Sequence, residues 1–188
     1  MNQDLNKILC VDLEATCWEP DSNRPRDEVS EIIEVGITVV DLKTLRIEEN
    51  EGIIVKPTRS SISKFCTSLT TLTQAQVDKG VSFGEACDKL RKHYRSRERT
   101  WVSWGDYDRN MFNTQCREIY QDYPFGPRHM NLKNQFAVLH GLNREFGTEK
   151  AMDHIGLSFN GTLHRGQDDS KNIAMIFVDT IKRFRGIK

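Results

Sequence analysis

The amino-acid sequence predicts an α/β domain in which a mixed five-stranded sheet is flanked by helices. Three segments rich in β-branched residues open the chain, and helical segments then alternate with short strand-like runs. The C-terminal segment carries apolar residues at helical spacing, from Ile173 to Phe184. Three successive strands followed by this alternation indicate a mixed sheet that helices cover on its faces.

Five strands are expected. The first is predicted at residues 8–14, and two more at 32–40 and 47–55 are separated by a short polar turn. The second and third strands should pair in antiparallel fashion, because a turn this short leaves no room for a crossover. The last two strands, at 100–104 and 130–132, are short and lie between helical segments.

Helices fill most of the remaining chain. Besides the C-terminal helix, apolar residues at a spacing of three or four predict further helices. They cover 70–93 in two pieces broken near Gly80, the stretch around Phe112 and Cys116, 134–140, and 149–155. Residues 17–30 are polar, contain two prolines, and are predicted to form a surface loop.

Length, charge and cysteine content limit the class of protein. The 188 residues suit a single domain spanning 1–188, and 27 basic side chains balance 27 acidic ones. A protein that coats nucleic acid non-specifically would be more basic. Five widely spaced cysteines without a CxxC argue against a disulfide framework or a zinc site. Without a signal-peptide pattern or a bilayer-length apolar run, we expect a cytoplasmic protein.

Two acids end the first predicted strand. Asp12 and Glu14 are two residues apart, so their side chains point to the same face of a strand. Neighbouring carboxylates on a buried strand repel each other and are costly to desolvate, and a divalent cation relieves both penalties. Oxygen ligands of this kind suit Mg²⁺ or Mn²⁺. Because Asp-x-Glu is a common triplet, the prediction depends on further ligands.

Helical spacing selects one more acid from each of two later clusters. Asp108 precedes Phe112 by four residues, and Phe112 begins an apolar stripe with Cys116 and Ile119. Asp108 is therefore predicted on the face turned toward the sheet. By the same argument Asp169, four residues before Ile173, lies on the core side of the last helix.

Helix capping is the competing explanation for acids at these positions. It accounts well for Asp106 and Asp168, which do not project onto the apolar stripes. It does not account for acids aimed at the apolar face. Two divalent ions held about 3.5–4 Å apart by shared carboxylates are a known device for in-line phosphoryl chemistry. The inward carboxylates that could hold such ions are Asp12, Glu14, Asp108 and Asp169.

His164 is the candidate general base. It precedes Asp169 by five residues, with Gly166 between them, so it is predicted on a loop just before the last helix. Histidine is the residue most often used to accept a proton near neutral pH. A histidine on a loop is more often merely exposed, but the neighbouring acids favour the catalytic interpretation here.

Three motifs resemble those of the DEDDh 3′→5′ exonucleases, whose fold is ribonuclease H-like. In chain order they read VDLEATCW from Val11, SWGDYD from Ser103 and HRGQDDSKNIA from His164. The first and third are similar in particular to the Eri-1-like exoribonuclease branch and its bacterial single-domain members. Residues 68–74, SLTTLTQ, resemble the Leu-Thr-x-Ile-Thr segment that flanks the 3′-terminal nucleotide in that family. The resemblance extends from Ile8 to the last helix.

The resemblance implies a reaction and a role for each residue. It implies hydrolysis from the 3′ ends of single-stranded RNA, with nucleoside 5′-monophosphates as products and two Mg²⁺ or Mn²⁺ ions in the site. Only the similarity to the Eri-1-like exoribonuclease branch favours RNA over DNA as the substrate. The implied metal ligands are Asp12, Glu14, Asp108 and Asp169; the catalytic residues are His164 and Glu14; and the residues against the terminal nucleotide are Glu14, Ala15 and Thr16.

The side chain that grips an unpaired base is less defined. Stacking on an aromatic ring contributes about 1–3 kcal/mol per base in single-strand binding. Trp18 begins the polar loop and is the preferred candidate, whereas Trp104 and Phe65 are predicted to fill core.

Two alternative functions remain. A DNA exonuclease of the proofreading or repair type would share the same acids and differ in how its pocket treats the 2′-hydroxyl. A regulatory interaction protein could use the fold as a scaffold. Inward-facing acids without partners argue against a pure scaffold, since they have no role there.

Overall fold

The computed structural model describes residues 5–187, without the side chain of Ser22, and contains the predicted mixed five-stranded sheet. Its strands are β1 (Lys7–Ala15), β2 (Ile32–Asp41), β3 (Arg46–Ile54), β4 (Thr100–Ser103) and β5 (His129–Asn131). Their spatial order is β3-β2-β1-β4-β5. β2 runs antiparallel to both β1 and β3, whereas β1, β4 and β5 are parallel. The predicted sheet is confirmed, with the strand boundaries shifted by at most one residue.

The helices follow the predicted order with one addition. They are α1 (Lys64–Thr70), α2 (Gln74–Val77), α3 (Phe83–Lys92), α4 (Tyr107–Glu118), α5 (Leu132–Leu139), α6 (Thr148–His154) and α7 (Gly166–Phe184). The break near Gly80 is present, and Ser82 and Glu85 form a capping box that starts α3. α1 was not predicted; it begins where the Ser63 hydroxyl accepts the backbone N–H of Cys66. Within residues 5–187, no helix combines the length and apolarity that a membrane span requires.

The two faces of the sheet bury separate cores. On β1, Leu9, Val11 and Leu13 pack with side chains of α3 and α4. Ile8 and Cys10 point to the opposite face and pack with side chains of α5, α6 and α7. Because strand side chains alternate, Asp12 and Glu14 continue this second face toward the end of β1.

A crevice opens where β4 ends. The parallel pairing of β1 with β4 stops at Cys10 opposite Val102, but β1 continues to Ala15. Asp12 and Glu14 therefore lie on a part of β1 whose β4 side is open. In open α/β sheets ligands bind outside the carboxyl ends of the parallel strands, which is where these two acids lie.

A close approach of backbones places the last helix beside Asp12. Gly36 on β2 lies opposite Asp12 in the sheet register. A Cβ atom built on Gly36 would lie 1.7 Å from the carbonyl oxygen of Gly166, the first residue of α7. Glycine at position 36 thus lets the first turn of α7 pack directly on β2, and Asp169 belongs to that turn.

Candidate active site

Three of the four predicted metal ligands form one cluster. A carboxylate oxygen from each of Asp12, Glu14 and Asp169 lies within 4.8 Å of the others. Asp12 is half-buried, and Glu14 and Asp169 are 8% and 6% exposed. β1 and α7 supply these acids, so the packing of α7 on the sheet assembles the cluster. Three close oxygen ligands suit a hard divalent cation.

Asp108 adjoins this cluster without belonging to the closest group. It lies in the first turn of α4, is 4% exposed, and faces the sheet as predicted. Its Oδ1 accepts a hydrogen bond from the backbone N–H of Leu13 at 3.0 Å. Asp108 thus satisfies a β1 donor beyond the end of β4, and its side chain lines the same cleft as the other acids. The third member of the predicted stripe, Ile119, is exposed just past the end of α4.

Burial and mutual repulsion raise the pKa values of these acids. Burial raises the pKa of Glu14 to about 8, and the charges of Asp169 and Glu34 add to the shift. Burial also raises the pKa of Asp169 to about 7 and that of Asp108 to about 7. The pKa of Asp12 lies well above its ordinary value, first from burial and then from the charges of Asp108 and Asp169. The four acids therefore resist full ionisation in the absence of a cation. A bound cation would favour their ionised forms.

His164 lies in the same cleft, on the loop that precedes α7. The residue is exposed and adopts a left-handed backbone conformation, with φ of 60°. Side chains of the first turn of α7 fasten this loop: Asp168 accepts the N–H of Thr162 at 2.8 Å, and Asp169 accepts the N–H of Arg165 at 3.0 Å. A fixed loop with an exposed imidazole suits a proton acceptor that faces solvent and substrate.

The predicted capping roles of Asp106 and Asp168 are wrong for their side chains. Asp106 occupies the N-cap position of α4 but makes no capping bond; it accepts Asn131 Nδ2 at 3.0 Å and pairs with Arg109 at 3.0 Å. Asp168 lies inside α7 and accepts the N–H of Thr162. Asp106 therefore connects the end of β5 to the start of α4, and Asp168 connects the loop at Thr162 to α7.

The acids and His164 open onto a cleft of about 870 Å³. The described part of the chain builds its walls from the end of β1, α1, the start of α4, the segment 147–153 and the loop before α7. Ala15 lines the cleft as expected, whereas Thr16 does not. The Thr16 hydroxyl is buried, donates to the carbonyl of Val29 at 3.1 Å and accepts the N–H of Glu31 at 2.9 Å. Its side chain therefore stabilises the loop after β1.

The aromatic side chains that line the cleft are not the one that was predicted to stack on an unpaired base. Trp18 is half-buried and is not among the described residues that line the cleft. Tyr107 and Trp104 do line it, and Tyr107 is 57% exposed. Trp104 is anchored because its indole N–H donates to the carbonyl of Phe146 at 3.0 Å. Tyr107 is the better placed ring for contact with a base.

A buried ion pair beneath the acids was not predicted. Glu34 on β2 is fully buried and lies directly opposite Glu14 in the sheet register. Its carboxylate accepts Arg165 Nε at 3.0 Å and the N–H of Gly166 at 3.1 Å. The available signal was an acid inside the apolar run 32–40, since such an acid requires a partner.

The sheet order, the helices on both faces and the acids at the open end of β1 define a ribonuclease H-like domain with a carboxylate site. The chain matches the model of the exonuclease family RNase_T over residues 9–177, and it belongs to that family. This bears out the family suggested by the sequence motifs.

Individual relatives are consistent with this assignment. The rat 3′-5′ exoribonuclease 1 is 32% identical over 181 residues, which cover 91% of this chain and 52% of the relative. The probable 3′-5′ exonuclease KapD of Bacillus subtilis is 28% identical over 176 residues, covering 92% and 83%. The chain thus spans about half the length of the mammalian relative.

A solved structure resembles the whole described fold. The nuclease domain of 3′hExo, a DEDDh family member bound to rAMP, superimposes with a TM-score of 0.86 at 28% identity. The alignment covers 100% of this chain and 98% of that domain.

Proposed function

We propose that this protein is a metal-dependent 3′→5′ exonuclease that acts on the 3′ ends of single-stranded RNA and releases nucleoside 5′-monophosphates. One observation carries the proposal: Asp12, Glu14 and Asp169 place carboxylate oxygens within 4.8 Å of one another in a cleft that His164 also lines. In this proposal residues 1–188 form a single exonuclease domain.

The acids would hold two divalent ions, Mg²⁺ or Mn²⁺. Asp12, Glu14 and Asp169 are the ligands that the geometry favours, and Asp108 completes the set from the adjoining wall. When bound, such ions stabilise the charge that develops on a phosphoryl group under attack. The raised pKa values of Glu14, Asp108 and Asp169 support the fit, because a cation would relieve the repulsion that raises them.

His164 would act as the general base. Its exposed imidazole can accept the proton of the attacking water, and the left-handed loop conformation presents it to the cleft. Glu14 and Ala15 would lie against the terminal nucleotide. We leave Thr16 out of direct substrate contact, because its hydroxyl is engaged with the loop backbone.

RNA is the proposed substrate because the rat relative, at 32% identity, is named a 3′-5′ exoribonuclease, and a solved neighbour at 28% identity is bound to rAMP. The alternative of a DNA exonuclease keeps the same acids and base. We propose a cytoplasmic location from the cysteine pattern alone, since five widely spaced cysteines without a CxxC do not suggest a disulfide framework.

A gel assay with 5′-labelled RNA and DNA of identical sequence tests the proposal. We expect a ladder of shortening products with Mg²⁺ or Mn²⁺, faster on RNA than on DNA and absent in EDTA. Preferential cleavage of DNA would instead favour the alternative function, a DNA exonuclease of the proofreading or repair type. Intact substrate in every lane would contradict the exonuclease proposal and favour a regulatory interaction protein that uses the fold as a scaffold.

The same assay tests the general base. His164→Ala should slow single-turnover hydrolysis by about 10²–10⁴-fold at neutral pH, because the water proton loses its acceptor. Full activity of this variant in the presence of metal would contradict the role of His164 while leaving the acids in place.

A further inference from the structure

The cleft is lined by many more acidic than basic side chains. Besides the four acids already described, Glu149 and Asp153 of α6 line it. The chain as a whole has equal numbers of basic and acidic residues, so its net charge does not offset this excess. A polyanionic strand that enters such a cleft needs local cations beyond those held by Asp12, Glu14 and Asp169.

Lys150 is the one lysine or arginine among the described residues that line the cleft. It lies on α6, which forms part of the cleft wall. Among residues 5–187 no carboxylate forms an ion pair with it. Other basic side chains near the cleft are neutralised: Arg109 pairs with Asp106, and Arg165 pairs with Glu34. The charge of Lys150 is thus available to a ligand.

The position of Lys150 is set by packing. Its ammonium lies 4.4 Å from the centre of the Phe146 ring, which attracts a cation without cancelling its charge. The carbonyl of Phe146 accepts the indole N–H of Trp104, and this bond fixes the segment before α6. The next two residues, Ala151 and Met152, are fully buried. Lys150 is therefore an exposed cation on a firmly packed wall.

We propose that Lys150 binds a backbone phosphate of the nucleic-acid strand that enters the cleft. This assignment rests on the proposed exonuclease function and adds a substrate-binding residue on the part of the cleft wall that α6 forms. A lysine ammonium binds phosphate as a point charge and tolerates any base sequence. Lys150 should therefore contribute to affinity for RNA and DNA alike and should leave the chemical step unchanged.

The salt dependence of binding provides the test. For single strands the slope of log affinity against log salt is about −0.7 per neutralised phosphate. The probe is a 5′-fluorescein oligonucleotide with a hydrolysis-resistant phosphorothioate at its 3′-terminal linkage, titrated by anisotropy with Mn²⁺ present. Lys150→Gln should reduce the magnitude of the slope by about 0.7 and weaken binding about three- to tenfold at low salt. Lys150→Arg keeps the charge and should restore both values.

A matched control separates this role from a general charge effect. Lys92→Gln removes the same charge from α3, on the other face of the sheet, where Lys92 is exposed and pairs with Asp88. Lys92→Gln should show the same slope of log affinity against log salt as the unmodified protein. In steady-state hydrolysis, Lys150→Gln should raise KM by a factor similar to the loss of binding and leave kcat unchanged.

The outcomes distinguish the two proposals. An unchanged slope and KM in Lys150→Gln, in a protein that binds and shortens RNA, would overturn the Lys150 assignment alone. A fall in kcat without a change in KM would also overturn it. If the unmodified protein bound no oligonucleotide, the exonuclease proposal and the Lys150 assignment would both fail.

Discussion

Two regions of the sheet bury acids side by side but treat them differently. Asp12, which is half-buried, and Glu14 lie near the end of β1. Glu31 immediately precedes the neighbouring β2 and Glu34 lies within it; these two are called the acids of β2. Glu14 and Glu34 are direct partners in the antiparallel register. The exposed fractions of Glu14, Glu31 and Glu34 are all below a tenth, at 8%, 2% and 0%. Because Glu14, Glu31 and Glu34 are buried to a similar extent, a difference in their behaviour reflects their hydrogen-bond and charge partners and not their burial.

The acids of β2 have protein partners. Glu31 accepts the backbone N–H groups of Thr58 at 3.0 Å and Arg59 at 2.7 Å. Glu34 accepts Arg165 Nε at 3.0 Å and the N–H of Gly166 at 3.1 Å. Such charge-assisted hydrogen bonds compensate for the loss of water around a buried carboxylate.

The acids of β1 lack comparable partners. Among residues 5–187, no donor hydrogen-bonds to the carboxylate of Asp12 or Glu14, and no basic side chain pairs with either. Their nearest charged neighbours are further acids, which raise their pKa values. Acids near the end of β1 that have no partner in the protein are thus the ones we expect an external cation to bind.

Removing an acid of β1 should have the largest effect on activity. Asp12→Asn keeps the shape of the side chain but removes a proposed metal ligand, so hydrolysis should fall by about 10³-fold or more. The same change relieves repulsion in the metal-free protein, and we expect stabilisation of about 1–2 kcal/mol, or a rise in Tm of about 2–8 °C. Assays of RNA hydrolysis and thermal unfolding in EDTA measure the two effects. A metal-free Tm that fell would show that Asp12 has a stabilising partner after all.

Disturbing the acids of β2 should have the opposite effect on stability. Arg165→Gln leaves Glu34 buried with the Gly166 N–H as its remaining partner. We expect a loss of about 3 kcal/mol, equivalent to a fall in Tm of about 6–12 °C in metal-free protein. Arg165→Lys should lose less, because a cation remains within reach. Equal Tm values for Arg165→Gln and the unmodified protein would contradict the claim that protein partners stabilise the acids of β2 but not those of β1.

The pH dependence of metal-free stability should show a smaller effect. Burial raises the pKa of Glu14 from 4.5 to about 8. A carboxyl group with a higher pKa in the folded state binds more protons when folded, so its contribution to stability falls as pH rises between these values. We expect the Tm in EDTA to fall by several degrees from pH 5 to pH 8, and the fall to be shallower in Glu14→Gln. Parallel pH profiles of the two proteins would contradict the shift.

Sequence periodicity predicted much of the sheet and the directions of the inward acids. Alternation along β1 put Asp12 and Glu14 on one face, and four-residue spacing put Asp108 and Asp169 on the buried sides of their helices. These are local properties, because the period of a strand or helix fixes them without knowledge of the fold. The loop position of His164 followed from the start of α7 in the same way.

The features that the sequence missed depend on tertiary contacts. Glu34 and Arg165 are 131 residues apart, and their pairing requires α7 to pack on β2 through Gly36. Lys150 faces the cleft only because α6 packs against the second face of the sheet. α1 was missed because its short sequence has a serine cap but no sustained apolar stripe.

Calorimetric and thermal titration with Mn²⁺ tests the central claim most directly, namely that the unpartnered acids of β1 require a cation. Saturation to about 100 times the dissociation constant should stabilise the protein by about 2.7 kcal/mol, which raises Tm by about 5–10 °C. Asp12→Asn should abolish both the heat of binding and the shift, whereas His164→Ala should retain them. No binding by the unmodified protein at millimolar Mn²⁺, or equal binding by Asp12→Asn, would contradict the account.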